Sequence, residues 1–342
     1  MTNQVQRLLA CAFTVSAILM GGELIYAADG DEKSQRRVLE EATVSWRALG
    51  KFYDELDGLF TMKDTAIGKI RRHTQTSFLI NGSNLRLQHR AVSEQSITTM
   101  VFNERYFFSL YQENKASAPQ VTAIQAVRGT DDQWYYKINY DVMRYVRAPI
   151  CIDREMLDQL VSKRGFKVTD VSSVSRKSKS LVRLGFEYQP STKAPYVPPE
   201  IPLEKLGLGK SWLLLDPESY WTIQEYSLAY WWGTESGLLE YGEKIEGFPV
   251  LRRGHVKAWG SQKPEEVVAI DWSMNKILHR TVPATEFTLS AFNLPEPNLQ
   301  PRVETANWLR VLAIGIGLLL VAGGLRFYLR KRLRYSQKVC SS

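Results

Sequence analysis

Four histidines, Cys151 and a Gly-Lys-Ser tripeptide are the residues of this 342-residue chain best suited to metal, covalent or phosphate chemistry. None stands in a pattern that performs it. Gly209-Lys210-Ser211 has the closing residues of a phosphate-binding loop, but the loop's leading glycine belongs at 204, where Glu204 stands. His73, His89, His255 and His279 lack the short spacings that put two imidazoles on one metal ion. Cys151 has no local signature of a nucleophile and no Gly-x-Ser-x-Gly elbow occurs, so the cysteine reads as a small buried hydrophobe, with an intermolecular bridge as the alternative. Asp131-Asp132 and Glu265-Glu266 read as solvated turn charges. The expectation is a non-enzymatic protein with no metal and no cofactor; a hydrolase of unseen type is the third reading.

Aromatic residues are the richer signal. Trp212, Tyr220, Trp221, Tyr226, Tyr230, Trp231 and Trp232 fall within 21 residues. On strict strand alternation Tyr220, Tyr226 and Leu228 oppose Trp221 and Ile223, so both faces would be apolar. Either helices cover both faces, or one face lines a cavity or meets a partner.

The two ends place the chain in a membrane. Val311 to Leu325 is uninterrupted apolar sequence, and with Arg310 and Arg326 snorkelling it reaches the roughly 20 residues that span a bilayer. Arg326, Arg330, Lys331, Arg332 and Arg334 follow, and short basic loops stay cytoplasmic, so the C-terminus is expected inside and the rest outside. At the other end Arg7, the apolar run Leu8 to Met20 and Ala27 read as an export signal cut near Ala28. Lipidation at Cys11 fits less well, because the apolar run follows the cysteine instead of preceding it. Leu294-Pro295-Glu296-Pro297 before the span also resembles a sorting signal cut by exosortases, with loose spacing; permanent anchoring is the preferred reading. The formal charge of +8 is concentrated in the anchor and its tail, which leaves the exported part almost neutral. Nucleic-acid binding thereby loses its electrostatic support, and the basic tail is suited to anionic membrane lipid.

These readings divide the chain into a signal peptide (1–27), an exported domain (28–292), a Pro-containing stalk (293–307), a transmembrane helix (308–329) and a basic cytoplasmic tail (330–342). Apolar positions from Val38 to Leu56 recur every three or four residues, which predicts one amphipathic helix ended by Gly58. The period then becomes two. Asn81-Gly82 predicts a hairpin turn that pairs Ile80 with Ser83 and Phe78 with Leu85, with only Leu79 breaking the alternation. It also explains the Asn81-Gly82-Ser83 glycosylation sequon more economically. Further strand patterns recur through Trp272, interrupted midway by helical spacing in residues 131–146 and 153–165. The pattern predicts an α+β fold: a curved antiparallel sheet with an N-terminal helix and inserted helices, followed by the membrane helix.

This layout resembles the lipoprotein-carrier superfamily of LolA and LppX-like half-barrels. The segments LLLDPESYWTIQEY, GFPVL and EFTLSAFNLPEP are similar to stretches of uncharacterised bacterial exported proteins with one C-terminal span. The resemblance implies a sheet wrapped around helices, with an apolar concave face able to hold acyl chains. Phe78, Leu85, Leu87, Phe108, Val182, Leu184, Phe186, Trp221 and Ile223 are the side chains expected on that face, contributing shape and desolvation. The expected function is a protein of the cytoplasmic membrane, facing outward, that binds a lipid or other apolar ligand. The alternative is an envelope scaffold, filled by its own side chains, that contacts another envelope protein.

Overall fold

The computed structural model describes residues 32–127, 133–176, 178–193 and 200–299. The expected signal, span and tail, with Arg326, Arg330, Lys331, Arg332 and Arg334, lie outside them. Among the described residues no helix is long and apolar enough to cross a membrane. The chain divides after Leu294 into two units, and every described helix and strand belongs to the first.

Helix α1 (Glu32–Tyr53) places Val38, Ala42, Trp46, Leu49 and Tyr53 on one face, all fully buried. Gly58 does not end it. The carbonyls of Asp54 and Glu55 instead accept hydrogen bonds from the backbone N–H groups of Gly82 (2.8 Å) and Arg280 (3.1 Å), so tertiary partners stop the helix early. Gly58 lies in the first strand, where an added Cβ would sit 2.4 Å from the Phe78 ring.

Six strands follow as a meander: β1 (Leu56–Ala66), β2 (Lys69–Asn81), β3 (Asn84–Ala91), β4 (Ile97–Phe102), β5 (Tyr106–Gln112) and β6 (Gln120–Ala126). The β2–β3 hairpin turns at Gly82-Ser83, pairing Ile80 with Leu85 and Phe78 with Leu87. That is two residues away from the register expected above. Because side chains alternate with period two, the shift leaves each residue on its expected face.

After β6 the chain runs through α2 (Gln133–Asp141), a π turn (Val142–Val146), a 3-10 turn (Ala148–Ile150), a small hairpin of β7 (Cys151–Ile152) and β8 (Glu155–Met156), and α3 (Leu157–Leu160). The long helix expected from residue 153 is thus mostly hairpin and turn. A second meander then forms β9 (Phe166–Arg176), β10 (Lys179–Tyr188), β11 (Leu208–Asp216), β12 (Thr222–Tyr230), β13 (Gly233–Tyr241), β14 (Leu251–Gly260) and β15 (Val268–His279). Gly209-Lys210-Ser211 lies inside β11, with Ser211 buried and its Oγ accepting from the Ala229 N–H, so no phosphate loop exists there.

β15 pairs with β1, joining the meanders into one antiparallel sheet of 13 strands ordered β6-β5-β4-β3-β2-β1-β15-β14-β13-β12-β11-β10-β9. Since β6 and β9 are the opposite edges, the segment between them must cross the whole sheet. It does so across the same face as α1. Tyr135 meets Phe102 of β4, Tyr145 meets Phe60 of β1 and Trp272 of β15, and Trp46 of α1 donates through Nε1 to the Trp221 carbonyl beside β12 at 2.8 Å. A few short helices reach strands this far apart only if the sheet curls around them. Strongly twisted sheets beyond about 10 strands commonly curl in this way. The result is an open half-barrel filled by its own helices.

The convex face carries a second, smaller core. Val282, Phe287 and Leu289 are buried in the segment after β15. That segment is tied to the sheet by Asn81 Nδ2 donating to the Val282 carbonyl (2.5 Å), Asn103 Nδ2 to the Phe287 carbonyl (2.7 Å) and Arg86 Nη1 to the Glu286 side chain (3.0 Å). Beneath it lie Leu79, Val101 and Phe108. Leu79, the exception to the β2 alternation, is buried on this face, opposite Arg86 in the β2–β3 ladder.

Candidate functional site

Eight of the nine predicted face residues come together on the concave side. Phe78, Leu85, Leu87, Val182, Leu184, Phe186, Trp221 and Ile223 belong to one core packed against α1 and the inserted helices, with Trp221 the most exposed at 4%. Phe108 does not join them. The ladder Ile80–Leu85–Phe102–Phe107 carries the concave face through Phe107, so its neighbour Phe108 opposes Val101 and meets the Phe292 ring at 5.8 Å on the convex side. With two phenylalanines adjacent in β5, alternation alone leaves open which of them faces inward.

The aromatic cluster resolves through a bulge. Leu215 pairs with Ile223 and Leu214 with Glu225, so Gln224 is an extra residue that inverts the parity of the strand. Ile223, Tyr226 and Leu228 therefore all enter the concave core. Tyr220 and Trp221 precede the strand with φ of 58° and 55°, left-handed conformations that bulky residues adopt only when their surroundings impose them. The Trp46 hydrogen bond to Trp221 is such a constraint.

The rest of the cluster emerges at one end of the half-barrel. Trp231 and Trp232, in the turn between β12 and β13, are 55% and 39% exposed, and Trp232 stacks on Tyr230 with centroids 5.1 Å apart. They border an open cleft of about 660 Å³ that also touches Tyr136, Tyr188, Ile201 and Leu206. Its cations are Arg154, Lys163, Arg164, Lys193 and Lys205, against two carboxylates, Asp153 and Glu155. Lys205 Nζ sits 4.9 Å above the Trp231 ring, and Lys163 pairs with Glu155 at 2.7 Å. Trp231 also borders grooves of about 540 and 370 Å³ on either side.

Asp153 and Arg154 form the β7–β8 turn with φ of 47° and 68°. The Asp153 carboxylate accepts from the Tyr230 hydroxyl at 3.3 Å. Crowding by protein raises its pKa from 3.8 to about 6, and the adjacent Arg154 only partly offsets this. A carboxyl that holds its proton more tightly when folded stabilises the fold most fully below about pH 4, and the contribution is lost as pH rises through about 6. Asp153 is exposed to solvent in its turn, and screening there makes the effect small. Between pH 4 and 7 the melting temperature of the native protein is expected to fall relative to that of Asp153→Asn; parallel profiles for the two proteins would rule this out.

A fourth groove of about 430 Å³ is lined by residues of β1, β13, β14 and β15, among them Lys63, Leu238, Glu240, Arg253, His255 and Asp271. His255 Nδ1 lies 2.5 Å from the Asp271 carboxylate, while His279 pairs with Glu246 and His89 with Asp141. Among the described residues no three His, Cys, Asp or Glu side chains assemble a metal site. The Cys151 thiol is buried, and burial pushes its pKa well above the ordinary range. That is the opposite of an activated nucleophile.

Two solved structures align with most of this chain at low identity. A LolA superfamily protein from Nitrosomonas europaea matches over 74% of this chain and 97% of its own, at 12% identity and a TM-score of 0.39. LprF from Mycobacterium bovis matches over 75% and 97%, at 8% identity and a TM-score of 0.28. No family model and no curated protein matches the sequence. The cleft at Trp231 and Trp232 brings five cations beside exposed aromatics, and periodicity missed it because it joins residues from five separate stretches. The clue present in the sequence was the pair Trp231-Trp232 directly before Gly233, a polar turn position occupied by two large aromatics.

Proposed function

We propose that this is a membrane-anchored, extracytoplasmic protein that binds a lipid or another apolar ligand inside a β half-barrel and admits it at the Trp231–Trp232 mouth. The observation that carries the reading is the continuity of apolar surface. Tyr188 and Tyr230 at the mouth pack against the same core that contains Phe186, Leu184 and Leu228. An acyl chain that displaced the helices from this core would lie against hydrocarbon, gaining roughly 0.8 kcal/mol for each buried CH₂. Large exposed aromatics beside an apolar interior are also the composition that tolerates both water and lipid. The anchor proposed at residues 308–329 would hold the half-barrel near the bilayer from which such a ligand comes.

A specific observation favours the second reading, an envelope scaffold. The eight concave residues are at most 4% exposed, so the helices already occupy the place of a ligand. The two readings separate experimentally. Residues 28–307 are purified and examined by native mass spectrometry with lipid extraction. Co-purifying acyl lipid is the expected result, and a clean apo mass that persists after incubation with lipid vesicles would leave only the scaffold.

A further inference from the structure

We infer that the mouth cleft is a headgroup site selective for anionic lipid, a phosphate-bearing amphiphile whose glycerol and first methylenes lie on Trp231, Trp232 and Tyr230. The inference rests on the lipid reading above and adds a charge requirement to it. Its basis is the distribution of charge inside the cleft. The carboxylates are already engaged: Glu155 pairs with Lys163 at 2.7 Å, and Asp153 accepts from Tyr230. Among the described residues, neither Arg164 nor Lys205 forms an ion pair. A cleft with five cations and two occupied carboxylates has an excess of positive charge next to apolar surface, in an exported part that is otherwise close to neutral. Low-dielectric walls strengthen the attraction of such a cleft for an anion.

The neighbouring groups discriminate further. Lys205 is held over the Trp231 ring, and the same indole borders the two adjoining grooves. A free inorganic anion would use the cations and leave the rings wet. A neutral lipid would use the rings and leave the net positive charge of the cleft unmatched. An anionic lipid uses both, and the cleft volume of about 660 Å³ suits a glycerophosphate headgroup with the upper parts of its chains.

The test uses the full chain reconstituted in phosphatidylcholine nanodiscs and titrated with dihexanoyl phosphatidylglycerol, dihexanoyl phosphatidylcholine or inorganic phosphate, with tryptophan fluorescence as readout. Saturable binding of the anionic lipid, at least tenfold tighter than that of the zwitterionic one and weakened by 0.5 M salt, is expected. Lys205→Glu and Arg164→Glu are expected to remove that preference while leaving the melting temperature unchanged, since both positions are exposed. Trp231→Ala should weaken both lipids together. Equal affinity for the two lipids, or a preference untouched by the charge reversals, would overturn the headgroup site while leaving the apolar-ligand reading intact. Inorganic phosphate binding as tightly as the anionic lipid would overturn it in favour of a plain anion site. Failure of every lipid to bind would overturn both readings.

Discussion

Trp46→Ala is expected to destabilise the half-barrel by about 3–5 kcal/mol, the range for deleting a fully buried large aromatic. Trp46 is completely buried at the middle of α1 and reaches the far meander through its hydrogen bond to the Trp221 carbonyl, as Phe52 and Tyr53 do through Phe248 and Pro249. Its loss leaves a cavity and removes the hydrogen bond that the Trp221 carbonyl accepts. Because Tyr220 and Trp221 both hold left-handed backbone, that bond also helps maintain a conformation costing roughly 1–3 kcal/mol for each such residue. Trp46→Phe separates the contributions: it restores most of the packing, and the residual loss reports the hydrogen bond, about 1 kcal/mol. Urea denaturation supplies the measurement, a shift in midpoint at constant slope. A midpoint within error of the native protein for Trp46→Ala would mean that α1 does not hold the sheet closed.

On the opposite side, Phe287→Ala is expected to cost a comparable 3–5 kcal/mol. Phe287 is fully buried in the segment that covers Leu79, Val101 and Phe108, and its carbonyl is fixed by Asn103. Truncation would loosen the cover, whose 3-10 turns Ala284–Phe287 and Leu289–Phe292 lie on this side of the sheet, and wet the patch beneath it. The two cores are separated by the sheet itself, so the double variant should show additive losses to within about 0.5 kcal/mol. Strong coupling between the two sites would show that they form one cooperative cluster. A loss below about 1 kcal/mol at Phe287 would show that the covering segment contributes little to the fold.

The difference between Phe107 and Phe108 illustrates what a pattern can carry. Alternation told the two faces of β2, β3 and β10 apart because each strand has one clearly apolar face. In β5 both faces are apolar, since helices cover one and residues 282–292 cover the other. A similar ambiguity in β12 came from a single inserted residue, Gln224, which inverts the parity without any change in composition. Gly58 misled for another reason: glycine after an apolar helix reads as a stop, yet here it makes room for a ring from the next strand.

The sequence by itself determined the local elements: an amphipathic helix from 3.6-residue spacing, strands from two-residue spacing, the β2–β3 hairpin though not its register, and the absence of any short catalytic or metal motif. These are properties of neighbours along the chain, and their periods are imposed by backbone geometry. Only the tertiary structure decided that β1 pairs with β15, that the inserted segment must cross the concave face, and that Tyr136, Asp153, Arg164, Tyr188, Lys205 and Trp231 surround one cleft. Those residues are separated by up to 95 positions, and what unites them is the closure of the sheet around its helices, a consequence of burying apolar area that no local period records.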